Sequence, residues 1–207
     1  MHNQATTDPV ITEFFFVRHA PVIKEAGALP AHDPNIVDQA YAVAEIAKTL
    51  PQKADWHISP LQRCRHTSHL ATQHSKLAPE VVPGLAEMSV GDWEGRNFRE
   101  LNEQENMITR LNADLRWTPP AGESLSEVAE RMQASLIRIA SRHTADETVL
   151  VVSHGAAMSI ALAQLLHNDP RNWMDYHFSN CGLTELHLTE PARLGRFNDC
   201  AHLAPFG

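Results

Sequence analysis

The sequence lacks the features that mark several classes of protein. Its three cysteines, Cys64, Cys181 and Cys200, form no CxxC pair and leave an odd number, which predicts neither a disulfide framework nor a zinc ribbon. No apolar run approaches the roughly 18 residues of a membrane-spanning helix. The N-terminal segment also lacks the basic and then apolar stretches of a signal peptide. We therefore expect a cytoplasmic protein with no membrane partner.

Positive charge is also scarce. The 17 lysines and arginines face 25 aspartates and glutamates, which gives a formal net charge of -8 and argues against a nucleic-acid partner. An anionic substrate would have to be attracted by a local cluster of basic side chains.

The length of 207 residues, 43% of them hydrophobic, predicts a single domain over residues 1–207 with a sizeable core. The oligomeric state is left open.

Two short apolar runs each lead directly into a histidine. Residues 14–17 precede Arg18 and His19, and residues 149–152 precede Ser153 and His154. Such runs are typical of central strands in a parallel sheet, and ligands of these sheets bind just beyond the carboxyl ends of the strands. The pattern predicts that His19 and His154 face one crevice.

Strand and helix patterns alternate along the rest of the chain. Further strands are predicted at 55–58, 183–188 and 194–198, and a structured loop at 85–95. Helices are predicted at 39–50, 60–75, 97–115, 124–143 and 156–166, with Ser59 capping the second and a capping box from Ser124 to Glu127 opening the fourth. This alternation predicts an α/β fold of three layers, α/β/α, with a mostly parallel central sheet.

Two arginines sit where a phosphoryl group could be held. Arg18 adjoins His19, and Arg63 lies early in the predicted second helix, where unpaired backbone amides also favour an anion. The planar guanidinium of arginine matches phosphate oxygens two at a time. Cationic neighbours lower the pKa of an imidazole, so we expect His19 to be neutral and nucleophilic at pH 7.

Five short motifs follow one another along the chain. They are Arg18-His19-Ala20, Ser59-Pro60-Leu61-Gln62-Arg63 with Thr67, Glu87 ahead of Gly91-Asp92-Trp93-Glu94-Gly95, Gly122-Glu123-Ser124, and Ser153-His154-Gly155. In this order they resemble the motifs of the histidine phosphatase superfamily, the phosphoglycerate mutase-like enzymes, over nearly the full length of the chain. Each motif alone is weakly specific, but the ordered set is strongly so.

The resemblance implies a phosphoglycerate mutase-like fold and a mechanism. His19 would become transiently phosphorylated, and Arg18, Arg63 and His154 would hold the phosphoryl group. Glu87 would protonate the departing oxygen, because an alkoxide is a poor leaving group. These five residues are the candidate catalytic residues. The substrate implied is a small phosphorylated metabolite, and the scheme requires no cofactor and no metal ion.

The loop after His19 departs from the family pattern. Ala20 replaces the usual glycine, and Pro21 and Val22 stand where many members have glutamate and threonine. Val22 offers no hydroxyl to a phosphate oxygen, and Glu25 stands near a common asparagine. These departures leave the substrate unidentified. They also leave open a second function, that of a non-catalytic phosphoester-binding protein on the same fold.

Mutase chemistry and a metal-dependent activity are the alternatives to hydrolysis of a phosphomonoester. In cofactor-dependent mutases a longer segment between the equivalents of Glu87 and His154 forms a lid, so the shorter segment here favours hydrolysis and leaves mutase as the alternative. A metal site built on His66, His69 and His74 lacks an accompanying HExxH or carboxylate pattern.

Ser153 and Cys64 are two further side chains with nucleophilic atoms. A serine hydrolase centred on Ser153 lacks the Gly-x-Ser-x-Gly elbow. Cys64, between two arginines, is either a reactive thiol or a buried position of the second helix, and the sequence does not decide between them.

Overall fold

Six strands form one mixed sheet in the described part of the chain, which in this computed structural model comprises residues 12–21, 29, 54–72, 78–144 and 147–206. The predicted helix at 39–50 lies outside the described residues, as do Val22, Glu25 and His74. The strands are β1 (Thr12–Arg18), β2 (Asp55–Ile58), β3 (Glu80–Val81), β4 (Thr148–Ser153), β5 (Leu183–Leu188) and β6 (Arg193–Leu194).

The strand order places the two histidine-bearing strands side by side. The order is β3-β2-β4-β1-β5-β6, and β1 runs parallel to β4 with Arg18 opposite Ser153. His19 and His154, which follow these residues, therefore emerge at the same edge of the sheet. β2 and β3 continue the parallel part, whereas β5 runs antiparallel to β1 and β6 runs antiparallel to β5. The prediction of a mostly parallel central sheet is confirmed.

Helices cover both faces of this sheet. They are α1 (Gln62–Thr72), α2 (Phe98–Glu105), α3 (Met107–Ala113), α4 (Leu125–Ala140) and α5 (Gly155–His167). Alternate β1 side chains point to opposite faces, as a strand requires. Phe14 and Phe16 pack with α4 and α5, while Phe15 and Val17 pack with α1. The three-layer prediction is confirmed. No helix among the described residues is long and apolar enough to cross a bilayer.

Two predicted elements were wrong in detail. The single helix predicted at 97–115 is two helices, because Asn106 adopts a left-handed conformation with φ of 53° between α2 and α3. Asparagine tolerates this region better than most residues. The last predicted strand, 194–198, is reduced to β6, since Asn198 is also left-handed, with φ of 49°. An isolated bridge from Leu183 to Asp199 follows.

Side-chain caps determine where α1 and α4 begin. The amide of Leu61 donates to Ser59 Oγ at 3.3 Å, just before α1 begins at Gln62. The capping box at the start of α4 is confirmed: the Glu127 amide donates to Ser124 Oγ at 3.2 Å, and the Ser124 amide donates to Glu127 Oε2 at 2.8 Å. The apolar face of α4 then packs into the core.

Candidate active site

His19 is held by backbone groups at the end of β1. Its amide donates to the carbonyl of Ser153 at 3.1 Å, and its Nδ1 lies 2.6 Å from the carbonyl oxygen of Ala20. Because a carbonyl oxygen only accepts, Nδ1 carries the proton and the lone pair of the neutral ring is on Nε2. The acceptor is a backbone group, so alanine at position 20 provides it as glycine would.

Two side chains fix the loop that carries His19. The amide of Ala20 donates to Thr67 Oγ1 at 3.0 Å, and the Thr67 hydroxyl donates to the carbonyl of Arg63 at 2.7 Å. On the other side, Asn180 Nδ2 donates to the carbonyl of His19 at 2.7 Å. Thr67 thus ties the loop to α1. Sequence reasoning missed Asn180, because it stands in no motif and comes close only through the sheet order.

Arg18 brings positive charge to the same place. Its Nη1 donates to the carbonyl of Phe178, and its buried Nε has no hydrogen-bond partner among the described residues. Burial lowers the pKa of Arg18, with Arg63 acting in the same direction and Glu87 opposing it. A guanidinium in this setting attracts an anion, since an anion would restore the solvation that burial removed.

His154 and Arg63 are bonded to each other inside the protein. Arg63 Nε donates to His154 Nδ1 at 3.0 Å, and His154 Nε2 lies 2.6 Å from Ser59 Oγ. Since a guanidinium only donates, His154 Nδ1 accepts and Nε2–H donates to the serine. The His154 ring is fully buried, and its centroid lies 5.1 Å from that of His19.

The electrostatics of His154 keep it neutral. Burial lowers its pKa well below the usual value, and His19 and Arg63 reinforce the effect. Both of its ring nitrogens are engaged by protein side chains. In this arrangement His154 packs against the His19 ring and can donate a hydrogen bond only from Nε2.

Cys64 occupies the buried helix position that the sequence left open. Its side chain has no exposed surface, its Sγ donates to the carbonyl of Ser153 at 3.5 Å, and it lies 3.4 Å from His154 Nε2. A thiol in this position packs against the site from within α1. The structure therefore favours the packing interpretation over a reactive thiol.

Glu87 reaches the start of α5. Its Oε1 accepts from the amides of Ala157, at 2.8 Å, and Met88, at 2.9 Å, while Oε2 lies 3.4 Å from the amide of Ala156. His154, the residue before α5, makes no side-chain cap. The Glu87 carboxylate thus caps α5, where unpaired amides and the helix dipole favour negative charge.

Arg131 holds the loop that carries Glu87. From α4 its Nη1 donates to the carbonyls of Gly84, at 2.9 Å, and Ala86, at 2.8 Å, and its Nη2 donates to that of Glu87 at 3.1 Å. Glu123 pairs with the same guanidinium through both oxygens, at 2.7 and 2.9 Å. Sequence reasoning missed Arg131 and assigned no catalytic role to Glu123. The motif around Glu123 was the one signal that could have pointed to this network.

A crevice of about 390 Å³ opens at this edge of the sheet. Its lining includes Arg18, His19, Glu87 and Asn180. A second cavity of about 400 Å³, lined mostly by apolar side chains, shares Glu87 with it. The structure thus brings the five sequence-predicted residues together: His154 packs against His19 of the crevice, and Arg63 bonds to His154 and lines the adjoining cavity with Glu87.

His66 and His69, whose role as metal ligands the sequence disfavoured, do not join this site. Both are exposed on α1. Among the described residues, the groups of side chains that could hold a metal ion lie elsewhere and include neither of them.

Comparison with known proteins supports the motif assignment. The model of the histidine phosphatase superfamily (branch 1) matches residues 15–199. An adenosylcobalamin/alpha-ribazole phosphatase of Escherichia coli is 32% identical over 52% of this chain, and the match spans about half of that protein, 54%. A metal-independent phosphoserine phosphatase of Arabidopsis thaliana is 28% identical over 95% of this chain and 85% of that protein.

A solved structure has the same fold. Phosphoserine phosphatase from Entamoeba histolytica, in complex with phosphoserine, superimposes with a TM-score of 0.81. The alignment covers 93% of this chain and 99% of that one at 22% identity.

Proposed function

The chain belongs to branch 1 of the histidine phosphatase superfamily, and we propose that it hydrolyses a phosphate monoester of a small metabolite through a phosphohistidine on His19. One observation carries the proposal. The bond from His19 Nδ1 to the Ala20 carbonyl places the lone pair on Nε2, in a crevice that Arg18 also lines. A nucleophilic nitrogen beside a cation is what attack on a phosphate ester requires.

In the first step, His19 Nε2 attacks phosphorus and the bond from phosphorus to the ester oxygen breaks. Arg18 and Arg63 neutralise the charge on the phosphoryl oxygens. Glu87 gives its proton to the departing oxygen, so the product leaves as an alcohol. Oε1 of Glu87 accepts two short backbone bonds, whereas the bond from Ala156 to Oε2 is longer, at 3.4 Å, so we assign the proton to Oε2.

In the second step, water attacks the phosphohistidine and the bond between nitrogen and phosphorus breaks. The Glu87 carboxylate accepts the proton of that water, which returns Glu87 to its acid form. Inorganic phosphate leaves and the lone pair returns to His19 Nε2. Two displacements with modest barriers thereby replace one difficult hydrolysis.

His154 supports both steps as a neutral donor. Its lowered pKa keeps the ring uncharged, so it adds no positive charge beside the imidazolium that His19 forms. On substrate binding, Nε2–H would transfer its hydrogen bond from Ser59 Oγ to a phosphoryl oxygen. The His154 ring lies beside the His19 ring, with centroids 5.1 Å apart, so this oxygen would belong to the phosphoryl group on His19.

Hydrolysis is favoured over mutase chemistry by the relatives, which are named as phosphatases of different phosphate esters. The mostly apolar cavity beyond Glu87 adds a preference for substrates whose alcohol part is partly apolar.

The positive charge comes from arginines, so we expect turnover to persist after exhaustive chelation with EDTA. The test of the proposed function is turnover of a generic phosphomonoester by the wild-type protein, which His19→Ala should abolish; an inactive wild-type protein would favour the non-catalytic alternative.

A further inference from the structure

A second cluster of ionisable side chains lies away from the crevice, at the other end of β2. Asp55 begins this strand, His57 points to the same face two residues later, and His143 follows α4. The carboxyl end of β2, by contrast, leads to Ser59, which bonds His154. The cluster therefore shares no side chain with the proposed catalytic machinery.

His57 is buried in this cluster without a hydrogen bond. Its side chain is 1% exposed, and within the described part of the chain neither ring nitrogen makes a hydrogen bond of ordinary geometry. The nearest charged atoms are Asp55 Oδ2, 3.5 Å from Nε2, and Glu80 Oε2, 3.4 Å from Nδ1. Burial lowers the pKa of His57, although both carboxylates oppose the effect. A buried imidazole that faces two carboxylates without a well-formed hydrogen bond requires an explanation, and a bound ion is one.

His143 faces the same carboxylate. Its Nδ1 lies 2.8 Å from the carbonyl of Ile139, so Nδ1 carries a proton. Its Nε2 lies 3.0 Å from Asp55 Oδ2. These two atoms are close enough to share a proton, and a metal ion can take the place of that proton between them.

We propose that Asp55, His57 and His143 bind a divalent transition-metal ion, with zinc as the representative, through Asp55 Oδ2 and the two Nε2 atoms. The three ligand atoms lie within 4.8 Å of one another. Ligands around tetrahedral zinc stand about 3.3 Å apart when the bonds are about 2.0 to 2.1 Å, and the two distances from Asp55 Oδ2, 3.0 and 3.5 Å, bracket that value. Water would complete the coordination.

The surrounding groups orient both imidazoles as metal sites require. A histidine ligand usually donates its other ring nitrogen to a carboxylate or a backbone carbonyl. Glu80 takes this part for His57, and the Ile139 carbonyl takes it for His143. Arg142 pairs with Glu80 at 3.0 Å and holds that carboxylate in place.

A metal ion here would tie β2 to the segment after α4. Because a ligand that binds only the folded state stabilises it by mass action, we expect the ion to raise the melting temperature. Its removal should leave turnover unchanged at temperatures where the apoprotein stays folded.

The test is zinc binding to protein first stripped with a chelator and then freed of it. Titration calorimetry should give one zinc ion per chain, and zinc should raise the melting temperature. Cobalt in place of zinc should give the visible absorption of a four-coordinate site. Asp55→Asn and His143→Ala should each lower zinc affinity by at least about tenfold, in the range seen when metal-site groups are removed.

Controls separate this site from other histidines and from misfolding. His66→Ala and His69→Ala change exposed histidines of α1 and should bind zinc like the wild type. Asp55 has a side chain that is 61% exposed, so Asp55→Asn tests the site without opening the core. The proposal fails if the wild-type protein shows no saturable binding, if Asp55→Asn and His143→Ala bind like the wild type, or if the α1 variants lose the ion.

Discussion

Arg131 donates a hydrogen bond of 3.1 Å to the backbone carbonyl of Glu87. The same guanidinium binds the carbonyls of Gly84 and Ala86 and is paired with Glu123. The position of the proposed acid is therefore set by a side chain of α4. Arg131 is a positioning residue, and its role can be separated from that of a residue that binds phosphate.

Replacing Arg131 should impair proton donation more than phosphate binding. Arg131→Met keeps an apolar stem but removes the donors to the Glu87 loop. We expect kcat for an alkyl phosphate to fall about 10- to 100-fold, the range for a displaced catalytic group, while KM changes little. A nitrophenyl ester should be affected less, because its phenolate leaves without an acid. Steady-state kinetics with both esters provide the measurement.

Arg138→Met is the matched control, since Arg138 is exposed on the same helix, and it should behave like the wild type. Equal losses on both esters in Arg131→Met would show that Arg131 supports the whole site rather than Glu87.

Glu87→Gln tests whether Glu87 is the general acid, because only esters with a poor leaving group need a proton from it. The amide can still accept bonds from α5, so the loop should stay in place while the transferable proton is lost. Turnover of alkyl phosphates should fall about 100-fold or more, and nitrophenyl phosphate should lose much less. Arg63→Ala, which removes charge stabilisation of the phosphoryl group, should slow both esters by similar factors. If Glu87→Gln slows both esters equally, Glu87 is not the acid, and His154 becomes the next candidate.

His154 should make the protein less stable in acid. Its pKa is lowered in the folded state, whereas in the unfolded chain it is about 6.5. Below that pH the unfolded chain binds a proton that the folded chain resists, so the free energy of unfolding falls as the pH falls. His57 acts in the same direction. We expect urea denaturation, with a chelator present, to show a loss between about pH 7.5 and about pH 5.5.

Two variants test whether His154 causes the dependence of the free energy of unfolding on pH. His154→Asn should reduce the loss of stability on acidification, whereas His66→Asn, at an exposed position of α1, should keep the wild-type slope. An unchanged slope in His154→Asn would mean that burial of this ring does not set the acid response.

Much of the fold could be read from local patterns. The run ahead of His19 and the capping box at Ser124 depend on neighbouring residues, and both are found as expected. Asn106 could not be predicted to split a helix, because asparagine tolerates the left-handed conformation but also occurs inside helices. The strand order, which brings Asn180 to His19, is likewise a property of the whole sheet.

In the candidate site, too, some residues could be predicted from local sequence patterns and others depend on the whole fold. The motifs contained His19, Arg18, Arg63, Glu87 and His154, because their chemistry is tied to short sequence signatures. Arg131 carries no such signature, and its contacts arise only when α4 packs beside the loop. The cluster of Asp55, His57 and His143 joins residues far apart in the chain, so no local spacing in the sequence pointed to it.

Ser124 should contribute to stability and not to catalysis. Its hydroxyl donates to Glu127 Oε2 at 2.8 Å and accepts from the Glu127 amide at 3.2 Å, which completes the cap of α4. Ser124→Ala should lower the free energy of unfolding by about 1 kcal/mol, as loss of an N-cap does, with kcat unchanged. Ser126→Ala, within α4, is the control for the loss of a hydroxyl. A large fall in kcat for folded Ser124→Ala would place this serine in the active site instead.

The central claim is that His19 carries the phosphoryl group, and rapid quenching tests it most directly. Wild-type protein mixed with a phosphomonoester labelled in the phosphoryl group and quenched within the first turnover should carry label that is stable in base and labile in acid. Peptide mapping should place this label on His19, and His19→Ala should show neither label nor turnover. Label on Ser153 or Cys64, or turnover by His19→Ala at the wild-type rate, would contradict the mechanism.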